Sequence, residues 1–132
     1  MLKKSIMLKK ENRITKQNEF DAFWGKDFKQ KKGLNIAGKF LIVKIFNNSL
    51  KYNRFGFIVN NKIDKRATER NKIKRRLRNI VQREQSQIKG NYDCLIITKP
   101  SIKHKELREI KTELIGLLKK LNLFVYVIIS AI

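Results

Sequence analysis

The chain has 132 residues, the size of one domain, and 42% of them are apolar, enough to form a hydrophobic core. Its 32 Lys and Arg against 11 Asp and Glu give a formal net charge of +21, which favours a polyanionic partner, nucleic acid before an anionic membrane surface. One cysteine, Cys94, and one histidine, His104, exclude a disulfide framework and a zinc site built from Cys and His ligands.

The two ends of the chain differ in character. Residues 1–12 are basic and lack the apolar stretch of a signal peptide, so we expect a flexible N-terminal segment on a single domain spanning residues 1–132. Residues 121–132, LNLFVYVIISAI, carry no charge but are shorter than the roughly 20 residues of a membrane-spanning helix. This apolar tail favours a buried strand or core-packing segment, with membrane attachment as the alternative.

The first half of the chain predicts one helix and two strands. Aromatic residues recur at helical spacing in residues 16–24, and Gly25 ends this helix. Apolar residues alternate over residues 34–47, which predicts a strand with a bulge near Gly38. Residues 54–59 predict a second strand, the antiparallel partner of the first.

The second half predicts a long helix over residues 67–88, an apolar strand over residues 92–98 and an amphipathic helix over residues 103–121. The element order is therefore α-β-β-α-β-α. This order indicates the α+β class, a two-layer sandwich with helices packed on a small sheet.

A basic stripe lies along the long predicted helix. Residues 62–78 contain nine Lys or Arg and two acidic residues. Arg70, Lys74 and Arg78 are like charges four residues apart, an arrangement that is mildly repulsive on a helix. A solvated face normally mixes both signs, so this row favours phosphate binding over an ordinary charged surface.

The same segment resembles the bacterial ribonuclease P protein family. The run Ala67–Arg78 is similar to the family signature A-V-x-R-N-x-x-K-R-x-x-R. Flanking segments resemble the family in the same order, namely Leu8–Lys10, Arg13–Ile14, Glu19–Phe20, Arg54–Phe57 and Asp93–Pro100. One departure is Asn60-Asn61-Lys62, which stands where the family usually has Ser-Lys-Lys, and the loop that follows is one residue longer.

The resemblance implies the small protein subunit of a ribonucleoprotein endonuclease that removes the 5′ leader from precursor tRNA. In that family the RNA subunit is the catalyst and uses Mg²⁺, whereas the protein is not catalytic alone. The implied partners are the catalytic RNA and precursor tRNA, with no membrane, and a lone cysteine fits a cytoplasmic location. The implied fold is a two-layer α/β sandwich, ribosomal protein S5 domain 2-like, with a left-handed βαβ crossover against the usual rule.

The resemblance also assigns roles to residues of this chain. It implies that the RNA subunit is bound by the side chains of Lys62, Arg66, Arg70, Asn71, Lys72, Lys74, Arg75 and Arg78. The resemblance, together with the aromatic pattern, also implies a leader-binding cleft between the sheet and the N-terminal helix. Its side chains would be those of Phe20, Trp24, Phe40 and Val43. Aromatic faces beside cations hold single-stranded RNA of any sequence by stacking. Core packing is the alternative for Phe20 and Trp24, and we expect it for Phe23.

The sequence offers no protein active site. Its carboxylates are scattered, without the D-x-D or E-x-x-H clusters of metal-assisted hydrolysis. His104 lies in a basic stretch with no nucleophile motif, so we expect it on the surface. The alternative function is that of a ribosomal or other small basic RNA-binding protein without a nuclease role.

Overall fold

The computed structural model describes residues 9–123, so the predictions for residues 1–8 and 124–132 lie outside the described residues. It confirms the α+β class, with helices packed on a four-stranded sheet. The elements are α1 (Gln17–Asp21), α2 (Gly25–Gln30), β1 (Leu34–Ala37), β2 (Leu41–Asn47), β3 (Arg54–Ile58), α3 (Ala67–Glu84), β4 (Tyr92–Thr98) and α4 (Leu107–Lys120). Single 3₁₀ turns occur at Lys10–Asn12, Gln85–Gln87 and Pro100–Ile102.

The sheet has the strand order β1-β2-β4-β3. Strand β2 pairs antiparallel with both β1 and β4, whereas β3 pairs parallel with β4. Helix α3 connects these two parallel strands, so β3, α3 and β4 form a βαβ unit. The left-handed crossover that the resemblance implies belongs to this unit.

Strand pairing differs from the sequence prediction in two ways. The predicted partner of β3 was wrong, because β4 lies between β3 and β2 and pairs with both. The predicted single strand over residues 34–47 is a hairpin of β1 and β2. Its turn is fixed by Glu113 of α4, whose carboxylate accepts hydrogen bonds of 2.6 to 2.8 Å from three successive backbone N–H groups, those of Lys39, Phe40 and Leu41.

The N-terminal helix is also divided in two. Gly25 has φ +68°, a left-handed conformation that glycine adopts without strain, and it turns the chain from α1 directly into α2. The observed order is therefore α-α-β-β-β-α-β-α rather than α-β-β-α-β-α. Part of the predicted flexible N-terminus is fixed as well, because Asn12 is buried and its Nδ2 donates to the carbonyl of Asn53 at 2.7 Å.

Side-chain alternation gives the sheet two apolar faces. One face packs under α3 and α4, and its buried strand residues include Leu41, Val43, Ile45, Cys94 and Ile96. The opposite face, called here the open face, packs on the N-terminal helices through Ile14, Phe23, Phe28, Phe46 and Leu95. Burial of Phe23 confirms the core position expected from the sequence.

The start of the apolar C-terminal tail packs on the helix-covered core. Leu121 is half-buried and Leu123 is buried there, and the Lys89 N–H donates to the Leu123 carbonyl at 2.6 Å. Of the helices within residues 9–123, none is long and apolar enough to cross a membrane.

A buried ion pair attaches α1 to the sheet. The Arg54 guanidinium binds the Asp93 carboxylate of the neighbouring strand through Nε at 2.9 Å and Nη2 at 2.6 Å. Its Nη1 reaches the Glu19 carboxylate of α1, also at 2.6 Å. Burial opposes ionisation of Glu19, but two backbone N–H groups of its own turn and the Arg54 guanidinium lower the pKa of this carboxyl below its usual value.

We expect Asp93→Ala to lower the free energy of unfolding by about 3 kcal/mol, because it leaves the half-buried Arg54 without its bidentate partner. Urea denaturation of the full chain measures this loss. The matched control is Arg108→Ala, which removes an exposed ion pair with Glu106 of 3.6 Å and should cost less than about 0.5 kcal/mol. Equal losses for the two variants would contradict a structural role for the Arg54–Asp93 pair.

Candidate nucleic-acid interface

Helix α3 buries one side against the core and exposes cations on two flanks. Leu77, Ile80 and Val81 are its buried residues. One flank, called here the β3 flank, consists of Asn71, Lys74, Arg75 and Arg78. Consecutive residues differ by about 100° around a helix, so Lys72 and Arg76 point to the other flank, toward α4.

The β3 flank concentrates positive charge at one point. The Arg78 guanidinium lies 6.0 Å from the centroid of the Phe57 ring on β3 and is half-buried. Burial and the nearby cations Arg13 and Arg75 lower the pKa of Arg78, although an arginine keeps its charge. The guanidinium groups of Arg13, Arg75 and Arg78 repel one another, and this repulsion favours binding of a phosphate here.

The loop before α3 uses two of the predicted RNA-binding arginines internally. Arg66 holds the buried carboxylate of Asp64 through backbone and side-chain hydrogen bonds, which keeps the pKa of Asp64 well below its usual range. Arg70 turns back on the loop, where its Nη1 donates to the carbonyls of Asp64 at 3.0 Å and Lys65 at 2.7 Å. Arg70 therefore braces this loop in the free protein, a role that the sequence stripe did not indicate.

The remaining residues predicted to contact the RNA subunit are exposed or half-buried. Lys62, Asn71, Lys72 and Arg75 are exposed, and Lys74 and Arg78 are half-buried. The structure thus divides the predicted set into the β3 flank, the loop and the side that faces α4.

The N-terminal helices cover only part of the open face of the sheet, and the predicted leader cleft would lie beside them. Ile97 on β4 pairs with Ile42 on β2 and with Ile58 on β3. All three isoleucines are half-buried. They form an apolar row across the sheet next to the part that α1 and α2 cover. This row would form the floor of the predicted cleft, called here the cleft.

The wall of the cleft carries Phe20 and Trp24. Gly56 of β3 lets Phe20 approach the sheet, because a Cβ at Gly56 would lie 3.0 Å from Phe20 Cε1. Trp24 is 44% exposed, and the Lys44 ammonium lies 4.9 Å from its ring centroid. The same ammonium donates to the carbonyl of Phe23 at 3.0 Å. An exposed aromatic ring with a cation against it is suited to stacking on a base.

The two sheet residues predicted for this cleft lie elsewhere. Val43 is fully buried under α3 and α4, on the opposite face of β2. Phe40 precedes β2 and packs beside that same core, with the Lys105 ammonium 5.3 Å from its ring centroid. Ile42 and Lys44 lie on the open face, because side chains alternate along β2 and Val43 points the other way; Phe40 comes before β2 and is not part of this alternation.

The described part of the chain has no group of candidate metal ligands. Within residues 9–123, no group of three or more His, Cys, Asp or Glu side chains could hold a metal ion. Burial, together with Asp93, raises the pKa of the Cys94 thiol, so this cysteine is inert. His104 is exposed, as expected.

Comparison with known proteins identifies the family. The sequence profile of the family described as Ribonuclease P matches residues 8–122. The ribonuclease P protein component of Syntrophomonas wolfei is 36% identical over 118 residues, which cover 89% of this chain and 93% of that protein. The component of Alkaliphilus metalliredigens is 30% identical over 116 residues, covering 88% and 98%.

Solved structures agree with the sequence comparisons. The Staphylococcus aureus RNase P protein superposes with a TM-score of 0.73 at 29% identity, covering 86% of this chain and 97% of that one. The RNase P protein from Thermotoga maritima gives a TM-score of 0.64 at 27% identity, covering 72% and 91%. With its basic α3 and its aromatic cleft on opposite sides of one sheet, this chain belongs to the ribonuclease P protein family.

Proposed function

We propose that this chain is the protein subunit of a ribonuclease P ribonucleoprotein in which the RNA subunit catalyses removal of the 5′ leader from precursor tRNA. The observation that carries the proposal is that the β3 flank and the cleft lie on opposite sides of the sheet. One protein can therefore hold a catalytic RNA and a substrate strand at the same time.

The β3 flank is suited to the RNA subunit. Its cations project from an 18-residue helix that is packed on the core, so they form a rigid row. Arginine forks pair with phosphate oxygens bidentately, and a row of them follows a phosphate backbone without reading its sequence. Binding of a phosphate would also relieve the repulsion among Arg13, Arg75 and Arg78.

The cleft is suited to the single-stranded leader. Its aromatic wall and apolar floor offer faces to bases of any kind, and Lys44 supplies a cation beside them. The leader is the part of precursor tRNA that mature tRNA lacks, so contact with it lets the enzyme favour substrate over product. This selectivity would be the protein's contribution to turnover.

Mg²⁺ fits this division of labour as an ion of the RNA subunit. The described side chains provide no ligand cluster for it, whereas RNA phosphates are oxygen ligands that suit Mg²⁺. We assign no catalytic residue to the protein, and we propose a cytoplasmic location on the basis of the free, buried thiol of Cys94. The ribosomal-protein alternative is not favoured, because the family comparisons point to ribonuclease P.

The central test is reconstitution. We expect the purified chain alone not to cleave precursor tRNA in Mg²⁺, and the chain combined with its RNA subunit to release the 5′ leader. Gel analysis of end-labelled precursor measures both reactions, with RNase-treated holoenzyme as the control. Cleavage at the mature 5′ end by RNA-free protein would contradict the proposed role.

We expect Arg75→Ala and Arg78→Ala each to weaken binding to the RNA subunit. Each lost phosphate contact should also flatten the plot of log K against log salt by about 0.7–0.9. Binding titrations at several salt concentrations measure both effects. Unchanged affinity and slope in both variants would place the β3 flank in solvent.

We expect Trp24→Ala to weaken binding of precursor tRNA to the holoenzyme by about 1–2 kcal/mol, roughly 5- to 30-fold, with little change for mature tRNA. Trp24→Phe should restore most of the lost affinity, because it keeps an aromatic face. Tyr52→Ala removes an aromatic side chain of similar exposure outside the cleft and is the matched control. Equal losses for precursor and mature tRNA, or a large fall in the melting temperature, would assign Trp24 to the core instead.

A further inference from the structure

A second basic surface lies on the side of α3 that faces α4. Lys72 and Arg76 border a groove of about 600 Å³, and the segment 103–105, Lys-His-Lys, lines it from the start of α4. Isoleucines of both helices and of the intervening turn also line it, and Leu107 at its border is 44% exposed. The groove is therefore apolar inside and basic around its edge.

The acidic residues of this groove each form an ion pair with a nearby cation. Asp64 is buried, with Arg66 at 3.1 Å and Lys103 at 3.2 Å from its carboxylate. Glu69 pairs with Lys72 at 3.3 Å, and the third acidic residue, Glu106, pairs with Arg108 at 3.6 Å.

Two cations of the groove have no carboxylate partner among residues 9–123. Among the described residues, no carboxylate lies within ion-pair distance of Arg76 or Lys105. The Lys105 ammonium instead lies over the Phe40 ring, and Arg76 is exposed. These two side chains can therefore take up phosphate without first breaking an ion pair.

The groove is separate from both surfaces described above. Arg75 and Arg76 are neighbours in sequence but differ by about 100° around α3, so they face different flanks. A helix with its side chains is about 10–12 Å wide, so RNA that contacts both flanks must present two separate strands to it. The leader cleft lies on the far side of the sheet, beyond the helix layer, so a leader strand held there does not contact this groove.

We propose that this groove binds the phosphate backbone of a second strand of the RNA subunit, with Arg76 and Lys105 as its main phosphate contacts. The proposal rests on the proposed function, because it places α3 between two strands of the same RNA. An RNA backbone fits the groove better than an acidic peptide, since the exposed Leu107 beside the cations can contact a ribose or base.

The test is equilibrium binding of the full chain to the RNA subunit. Arg76→Ala and Lys105→Ala should each lower the salt slope by about 0.7–0.9, which corresponds to roughly 5- to 8-fold weaker binding at 0.1 M salt. Arg76→Lys should bind nearly as well as the unchanged chain, because it keeps the positive charge. Lys51→Ala, an exposed lysine in the loop between β2 and β3, is the control and should have no effect.

Hydroxyl-radical footprinting of the RNA subunit identifies the strand involved. Arg76→Ala should remove protection from one RNA segment, and Arg75→Ala from a different one. Loss confined to the Arg75 and Arg78 variants would overturn the second contact and leave the proposed function intact. Weaker binding of precursor tRNA to the assembled enzyme, with unchanged affinity for the RNA subunit, would assign the groove to tRNA and also overturn the inference.

Discussion

The Arg54 guanidinium joins three parts of the chain that are far apart in sequence. Two of its nitrogens bind the buried carboxylate of Asp93 on β4, and the third reaches Glu19 on α1. An ionised carboxylate as buried as Asp93 is costly without such a partner, so β3 pairing and α1 docking depend on the same charge. Because α1 carries Phe20 and leads to Trp24, this ion pair determines where the cleft wall lies.

The sheet is covered unequally, and this inequality separates the two RNA surfaces. Helices α3 and α4 bury Leu41, Val43, Ile45, Cys94 and Ile96 of the central strands on one face, so α3 is a rigid support whose outer side is free for phosphate contacts. Short helices α1 and α2 cover only part of the other face and leave the row of Ile42, Ile97 and Ile58 half-buried. A longer N-terminal helix would bury this row and close the cleft.

Local patterns predicted the long elements, whereas distant pairing and side-chain direction were missed. Helix α3 and strand β4 follow from periodicity and apolar content. Strand β2 has apolar side chains on both faces because it lies inside the sheet. A one-residue shift in the alternation therefore decides whether Val43 or Ile42 faces the cleft. The position of β3 depends on pairing with β4, which lies beyond α3 in the chain, so local patterns do not reveal it. Arg70 binds backbone carbonyls, and these contacts leave no pattern of residue types in the sequence.

The position of β4 inside the sheet also constrains the order in which the protein can assemble during synthesis. Strand β4 pairs with both β2 and β3, yet among the strands of residues 9–123 it is the last to leave the ribosome. Until it emerges, the β1–β2 hairpin and β3 have no common partner, and Arg54 lacks Asp93. Phe20 and Trp24 are therefore translated early, and they stay exposed until β4, about two thirds of the way along the chain, has been translated. Nascent chains of this protein present unshielded aromatic side chains and cations together, a combination that favours premature association with the surrounding RNA.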